Sequence, residues 1–336
     1  VSIVAVLKGG RSLERQVSLK SGARVEESLR HLGHQVIGID VGPDLVTRLT
    51  DHAPDVAFIA LHGRDGEDGT VQELLEVLQV PYTGSRAAAC ARAADKISAK
   101  RVFRSAGIPT SDFFAFSEGA FGSLGAGQAL GLLEARLGFP IVVKPASQGS
   151  ALGIRFAQSA MELPTALVAA FSYDRRVLLE RFVAGRDLAV GIIDGVDGDR
   201  SPVALPVVEA LPEGWAGSTG SAGSGGASVR AGSAGTAYDY ESRYEIGRTQ
   251  FVCPAELPEE LSARAQAIAL SAYRELGCGG FGRADLMLEE STGELFVLEL
   301  NPIPGLTETS LLPLAADAAG IGFDELIAQI LAGASG

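Results

Sequence analysis

Sulfur and imidazole are scarce in this 336-residue chain, which has three cysteines and four histidines. Cys90, Cys253 and Cys278 are odd in number and far apart. That fits reduced thiols in a cytoplasmic protein and argues against a cysteine-based metal site or a disulfide framework. Basic residues are also few, 28 Lys and Arg against 41 Asp and Glu, for a formal net charge of −13. A nucleic-acid partner needs a basic footprint, so none is expected, although a local basic pocket for an anion remains open. Long apolar runs are missing too, and nothing approaches the roughly 20 residues that span a bilayer, so no membrane partner is expected. The apolar opening Val1–Leu7 has no basic segment before it and no small-residue cleavage site after it. It reads as a buried first strand and not as a signal peptide.

What is present is 46% hydrophobic and 21% charged, enough for a large core and, at this length, for two or three domains. The first strand ends in Lys8-Gly9-Gly10-Arg11-Ser12, where the glycines permit a tight turn into a helix. Val17, Val25, Leu29 and Leu32 form that helix's apolar stripe, and Gly33 stops it. Strands follow at 35–39 and 55–61. The second of these ends in His62-Gly63-Arg64-Asp65-Gly66-Glu67-Asp68-Gly69 and is followed by a helix with Val71, Leu74, Leu75 and Leu78 inward. Repetition of strand, glycine loop and helix predicts a small doubly wound α/β domain whose ligand loops are 8–15 and 62–69, at the carboxyl ends of strands.

Pro81–Ser85 reads as a connector and the Ala-rich stretch after it as one helix to about Ser105. Ile141–Pro145 is a buried strand ending at Lys144, followed by the Gly/Ser loop Ala146–Ile154. A strand-end ammonium beside such a loop suits a phosphate, though an exposed lysine at an ordinary turn has the same pattern. Val177–Val183 carries Glu180, and residues 188–193 and 202–208 form a hairpin around 194–198. Residues 214–236 are almost wholly Gly, Ser, Ala and Thr and end in an aromatic, charged cluster at 238–244. This predicts a mobile surface loop of the active-site-lid kind.

The richest stretch is 281–310. Alternation places Phe281, Arg283, Asp285 and Met287 on one strand face, and a second strand, 295–301, carries Glu299 and Asn301 on one face. Asp285, Glu299 and Asn301 converge if these strands pair antiparallel. Three hard oxygen donors without Cys or His suit Mg²⁺; a solvated hairpin has the same alternation. Asn301-Pro302-Ile303-Pro304-Gly305 then makes a stiff turn suited to fixing a backbone N–H. His62 alone reads as a structural hydrogen-bonder, Glu14 as an exposed helix start and Lys96 as a solvated lysine. Together the pieces are the parts of a phosphoryl-transfer enzyme: cations, a metal and nucleoside acceptors.

Along nearly its whole length the chain resembles the D-alanine–D-alanine ligases of the ATP-grasp superfamily. The resemblance rests on Gly9–Ser18, His62–Thr70, Asp95-Lys96, Lys144-Pro145, Gly149-Ser150, Tyr240–Tyr244, Gly282–Asp285 and Glu299–Ser310. It implies a three-domain ATP-grasp fold, α/β and α+β. An N-terminal doubly wound parallel-sheet domain would cover 1–94, a central lobe 95–175, and a C-terminal lobe 176–336 with a mobile loop at 212–244. It implies ATP as substrate, two Mg²⁺ with Mn²⁺ as a substitute, D-alanine ligation for peptidoglycan, and a homodimer in the cytoplasm. Carried over by position, Glu14 would meet the first substrate's ammonium in a network with Ser150 and Tyr244, and His62 would lie beside that substrate. Lys96, Lys144, Ser150 and Arg243 would serve the phosphates. Glu180, with the backbone of Phe182 and Val183, would face adenine, and Asp187 the ribose. Asp285, Glu299 and Asn301 would hold metal. Arg283 and the Gly305 N–H would stabilise an oxyanion, and Ser310 and Leu311 would bind the second carboxylate.

Some positions depart from the family's pattern. Arg243 stands where Lys is usual and Asp187 where Glu is usual. Ala151 replaces a second serine, Pro302-Ile303 replaces a more polar pair, and 214–236 is an unusual insertion. Tyr244, where some D-alanine–D-lactate ligases carry His, favours a dipeptide product. A ligase with a different second substrate (D-Ser, D-lactate or a secondary-metabolite precursor) is the alternative within the family. A non-catalytic ATP-binding regulator is the alternative outside it, disfavoured because all the metal and phosphate residues are present.

Overall fold

The computed structural model describes residues 1–195, 201–212 and 249–334. The first unit runs β1 (Ile3–Lys8), α1 (Arg15–His31), β2 (Gln35–Asp40), α2 (Leu45–His52), β3 (Val56–Ile59) and α3 (Thr70–Leu78). Its sheet is all parallel in the order β2-β1-β3. Val4–Leu7 at its centre is fully buried, as a strand covered on both faces must be. Tyr82, in the predicted connector, extends this sheet by a parallel bridge to Ala57.

The buried face of α1 differs from the predicted stripe. Val25 and Leu29 are buried, but Val17 and Leu32 are exposed, and the inward positions are taken by Ser18, Ser21 and Gly22. Small residues win there because the helix lies close to the sheet: a Cβ on Gly22 would sit 2.5 Å from Lys8 Cβ. A stripe read from large side chains misses such a face.

The Ala-rich segment is two helices, α4 (Ala87–Ala94) and α5 (Lys96–Ser105). Asp95 between them is extended, and its side chain caps α5 by accepting from the Ser98 N–H at 2.7 Å. This places Lys96 in the first turn of α5.

Next come β4 (Phe113–Ser117), α6 (Glu118–Ser123), α7 (Gly131–Leu137), β5 (Ile141–Pro145), β6 (Arg155–Ala157), α8 (Leu163–Phe171) and β7 (Arg176–Arg181). The four strands form an antiparallel sheet, β4-β7-β5-β6. The division predicted at 175/176 therefore differs from sheet membership, since β7 belongs with the central strands.

The last sheet holds β8 (Gly185–Asp194), β9 (Pro202–Ala204), β10 (Val208–Pro212), β11 (Thr249–Val252), β12 (Phe281–Glu289) and β13 (Leu295–Asn301). Its order is β11-β10-β8-β12-β13, with β9 also on β8. The predicted 202–208 strand is thus split, and both β9 and β10 pair with β8. Helix α9 (Glu259–Glu275) precedes β12; α10 (Leu311–Ala318) and α11 (Phe323–Ala332) follow β13.

Each face of this sheet has its own core. Leu188, Val190, Ala284, Leu286 and Val297 pack with α9 and with Ala99 and Phe103 of α5. On the other face Ala189, Ile193 and Phe281 join α10, α11 and the first sheet in one continuous cluster. So α5, predicted in the central lobe, packs on both sheets, with Ala99 and Phe103 against the last one and Ile97 against Phe113 and Leu178 of the central one, and α10 and α11 complete the core that includes the first sheet. Among the described residues no helix is long and apolar enough to cross a membrane.

The β8–β12 ladder runs unbroken over nine residue pairs, ending at Gly185 opposite Glu289. A Cβ on Gly185 would lie 1.8 Å from the Leu288 carbonyl oxygen, which is backbone and has little room to yield. Gly185→Ala is expected to destabilise the protein by about 1–3 kcal/mol, the usual range for overpacking, read as a lower urea midpoint.

Candidate active site

The loops at the ends of the three sheets surround a cleft of about 950 Å³. Its first wall is the turn after β1. Gly9 and Gly10 adopt positive φ, 76° and 72°. Asp40 accepts from Arg15 through both oxygens, at 2.7 and 2.6 Å, and from the Gly10 N–H at 3.3 Å. Arg15 also donates to the Gly10 carbonyl at 2.8 Å. The Arg15 guanidinium holds the Asp40 carboxyl below its ordinary range. This clamp fixes the turn that presents Glu14 just before α1.

Glu14 lies against Gly63, where a Cβ would be 2.2 Å from its Oε2. Ser150 donates to Glu14 Oε1 at 3.1 Å across the cleft. The structure thus joins two members of the predicted network. The third, Tyr244, lies outside the described residues, as do Arg243, the tract 214–236 and all of the predicted 212–244 loop beyond Pro212.

His62 is buried, and both ring nitrogens have protein partners. Nδ1 donates to the Ile303 carbonyl at 3.2 Å and Nε2 accepts from Ser21 Oγ at 2.9 Å, the tautomer being set by those partners. Ser21 Oγ in turn accepts from the Leu306 N–H at 3.2 Å. His62 and Ser21 together fasten the 303–306 turn, and with it Gly305, to α1. Ser18 does the same for the first turn, accepting from the Gly9 N–H at 2.8 Å and donating to the Ala60 carbonyl at 2.7 Å. Burial pushes His62 down to about 4, so the ring is neutral at pH 7. Burial has the opposite effect on Glu67, whose carboxyl lies 3.8 Å from His62 Nδ1 and is pushed up to about 7.

On the opposite wall the β12–β13 register sets Arg283 against Asn301 and Asp285 against Glu299. The three predicted oxygen donors are therefore neighbours. Arg283 chelates Asp285 at 2.6 and 2.7 Å. Lys96 pairs with Glu299 at 2.9 Å and donates to the Gln148 carbonyl at 2.8 Å. Burial opposes both charges, but the ion pair overrides it: Lys96 is raised and Glu299 lowered. Asn301 Oδ1 accepts from the Ile303 N–H at 2.9 Å and starts the stiff turn. Among the described residues no three His, Cys, Asp or Glu side chains cluster as a metal site. Two carboxylates and an amide still suit Mg²⁺, which keeps waters and phosphate oxygens as its other ligands.

Lys144 lines the main cleft and also a small pocket with Glu180, Phe182, Val183, Phe156 and Met287. Its ammonium sits 2.7 Å from Glu180 Oε2. Asp187, on β8 opposite Met287, faces the main cleft. Ser310 is the N-cap residue of α10 and Leu311 its first residue, and both line the cleft beside Gly305. A Cβ on Gly305 would sit 2.7 Å from Ser310 Oγ, so a side chain there displaces the hydroxyl that accepts from the Thr307 N–H.

Two family models match the chain, the D-ala D-ala ligase N-terminus over residues 43–85 and the D-ala D-ala ligase C-terminus over residues 102–332. The chain belongs to the D-alanine–D-alanine ligase family. It is 41% identical to the D-alanine–D-alanine ligase of Syntrophotalea carbinolica, over 99% of this chain and 96% of the relative. It is also 41% identical to that of Moorella thermoacetica, over 98% and 97%. The crystal structure of the Bacillus anthracis ligase complexed with ATP superposes with a TM-score of 0.77 at 30% identity, covering 99% of this chain and 97% of that one. The fold is the mixed α/β ATP-grasp fold of this ligase family.

Sequence reasoning gave no role to Ser21, Asp40, Glu67 or Lys100, all of which the structure ties to the site. A serine at a helical core position beside two glycine loops was the available signal for Ser21.

The neutral His62 makes a pH prediction. Its folded value near 4 lies below the ordinary 6.5, so the unfolded chain takes up the proton first. The stability it contributes is complete above pH 6.5 and is lost as pH falls toward 4. Between pH 6.5 and 5 the wild type is expected to lose about 1.5 kcal/mol more than His62→Gln. Urea titrations of both proteins at the two pH values measure the difference. An equal loss in the two would show that His62 does not titrate this way.

Proposed function

We propose that this protein uses ATP to join two D-alanines into D-alanyl-D-alanine for peptidoglycan, through an acyl phosphate. The observation that carries the reading is one cleft fed by all three sheets. It gathers two ammonium groups, a Gly/Ser loop, a cluster of hard oxygens, a guanidinium and a fixed glycine turn.

In this reading Glu14, oriented by Ser150, receives the ammonium of the first D-alanine. That substrate's carboxylate is a poor electrophile until phosphorylation gives it a leaving group. Lys96 and Lys144 neutralise the phosphates of ATP, with the loop at Ser150 beside them. Glu180 and the backbone of Phe182 and Val183 face adenine from the small pocket, and Asp187 takes the ribose. Asp285, Glu299 and Asn301 would hold Mg²⁺, two ions by the family's habit, or Mn²⁺ in its place. The metal, when bound, screens phosphate charge.

When the second amine attacks, negative charge develops on the acyl oxygen. A half-buried guanidinium at Arg283 and the Gly305 N–H oppose that charge best where water is excluded. The start of α10, with Ser310 and the Leu311 N–H, offers backbone donors and the positive end of a helix dipole to the second carboxylate. His62 holds the Gly305 turn in place through its Ile303 contact. Cytoplasmic placement and a homodimer formed through the N-terminal domain belong to the same proposal, and light scattering tests the dimer.

The test is phosphate release from ATP and Mg²⁺ with D-alanine alone, with the product identified by mass spectrometry. D-alanyl-D-alanine is the expected product. Turnover only when D-serine or D-lactate is added would replace the second substrate, and nucleotide binding without turnover on any pair would end the ligase reading. Arg283→Ala should lower kcat by about 10²–10³ while leaving ATP binding near wild type. Ser150→Ala should raise the KM for D-alanine about tenfold, the loss of one charge-assisted hydrogen bond.

A further inference from the structure

Lys100 is fully buried and lines neither cavity, so it reaches no ligand. It sits one helical turn after Lys96 on α5, whose Ala99 and Phe103 pack with the last sheet. Its ammonium points the other way, to Glu180 on β7 of the central sheet. Nζ lies 2.5 Å from Glu180 Oε1, 2.5 Å from Thr110 Oγ1 and 3.1 Å from Ser111 Oγ. Ser111 Oγ also donates to Glu180 Oε1. Thr110 Oγ1 donates its own hydrogen bond to the Val297 carbonyl of β13 at 2.7 Å. A buried polar relay therefore runs from β13 through Thr110 and Lys100 to Glu180, and it ends at Lys144 on Glu180 Oε2, 2.7 Å away.

One buried carboxylate thus holds two ammonium groups, of which only Lys144 also faces the main cleft. Burial works against the charge on Glu180, but the fields of Lys100 and Lys144 outweigh it and bring the carboxyl to about 2. Burial likewise lowers Lys100, and Glu180 opposes that loss. A buried carboxylate left without a cation is strongly disfavoured. If Lys144 were its sole partner, turning Lys144 toward a phosphate would strand Glu180.

We propose that Lys100 is a positioning residue, the resident counter-ion of Glu180, whose charge frees Lys144 to leave that carboxylate for a nucleotide phosphate. The inference rests on the reading that Lys144 meets a phosphate of ATP. Lys100 acts entirely through Glu180 and Lys144. Its three hydrogen-bond partners, two of them on the 110–111 segment between the lobes, keep it in place while Lys144 moves.

The experiment measures steady-state constants and ATP binding by calorimetry for Lys100→Met, Lys144→Met, Glu180→Gln and Lys100→Met/Glu180→Gln. Lys100→Met is expected to raise the KM and Kd for ATP on the order of tenfold, as for removal of one member of a buried charge group, with the KM for D-alanine nearly unchanged. In the Glu180→Gln background no carboxylate needs balancing, so the same substitution should change ATP affinity less than about twofold. ATP and D-alanine constants rising together, a fall confined to kcat, or an equal cost in both backgrounds would overturn the proposal. Should Lys100→Met fail to fold, the comparison between Glu180→Gln and the double variant decides alone: equal ATP affinity supports the relay and unequal affinity rejects it. Lys144→Met separates the two readings. No rise in its ATP KM removes the phosphate role of Lys144, whereas a rise there without one in Lys100→Met removes only the role of Lys100.

Discussion

Charge pairing inside the cleft is the constraint around which the site is arranged. Lys96, Lys144 and Arg283 come from a helix start and two strands of different sheets, and each meets a carboxylate carried by β13, β7 or β12. Two of these pairs tie neighbouring elements together, α5 to β13 and β5 to β7. Lys144 and Glu180 lie on adjacent strands of one sheet, Arg283 and Asp285 on one strand, and Lys96 reaches β13 from a helix packed on that strand's own sheet, so each pair fixes charged side chains within its own layer. Buried pairs of this kind add little net stability compared with apolar packing, but removing one partner is costly. They act mainly to specify where each charged side chain points in the cleft.

That arrangement is set by backbone pairing. β12 is central in its sheet, with β8 on one side and β13 on the other, and its register brings Asp285 level with Glu299. A slip of one residue would turn Arg283 and Asp285 into the core formed with α9 and would bring Ala284 and Leu286 into the cleft. The apolar face of the same strand is what forbids the slip. The polar site and the core are two readings of one alternation.

How much of this was legible in the sequence follows from the range of each interaction. The Asp285, Glu299 and Asn301 cluster could be read because a period of two and a short turn determine it locally. The strands and glycine loops of the first domain were legible for the same reason. The Glu14–Ser150 contact spans 136 positions and came only through family resemblance. Lys100 was missed because a lysine on an Ala-rich helix looks like any solvated lysine until its carboxylate, 80 positions away, is placed beside it. The inner face of α1 was misread because closeness there is achieved by serine and glycine, which carry no hydrophobic signal. The membership of β7 and α10 in their layers was hidden because chain order does not say which sheet an element joins.

The continuous core shared by the first sheet and the last two helices has a consequence for how the molecule comes to be made. Leu326, Ile327 and Ile330 of α11 lie in the same buried cluster as Val4–Leu7 of β1. A ribosome delivers β1 first and α11 some three hundred residues later. Over that interval the side of α1 against which α11 packs lacks this cover. That apolar surface stays open until α11 has been made. Completion of the first domain is thus tied to synthesis of a segment far along the chain, and a product cut short before α11 would carry an exposed apolar face.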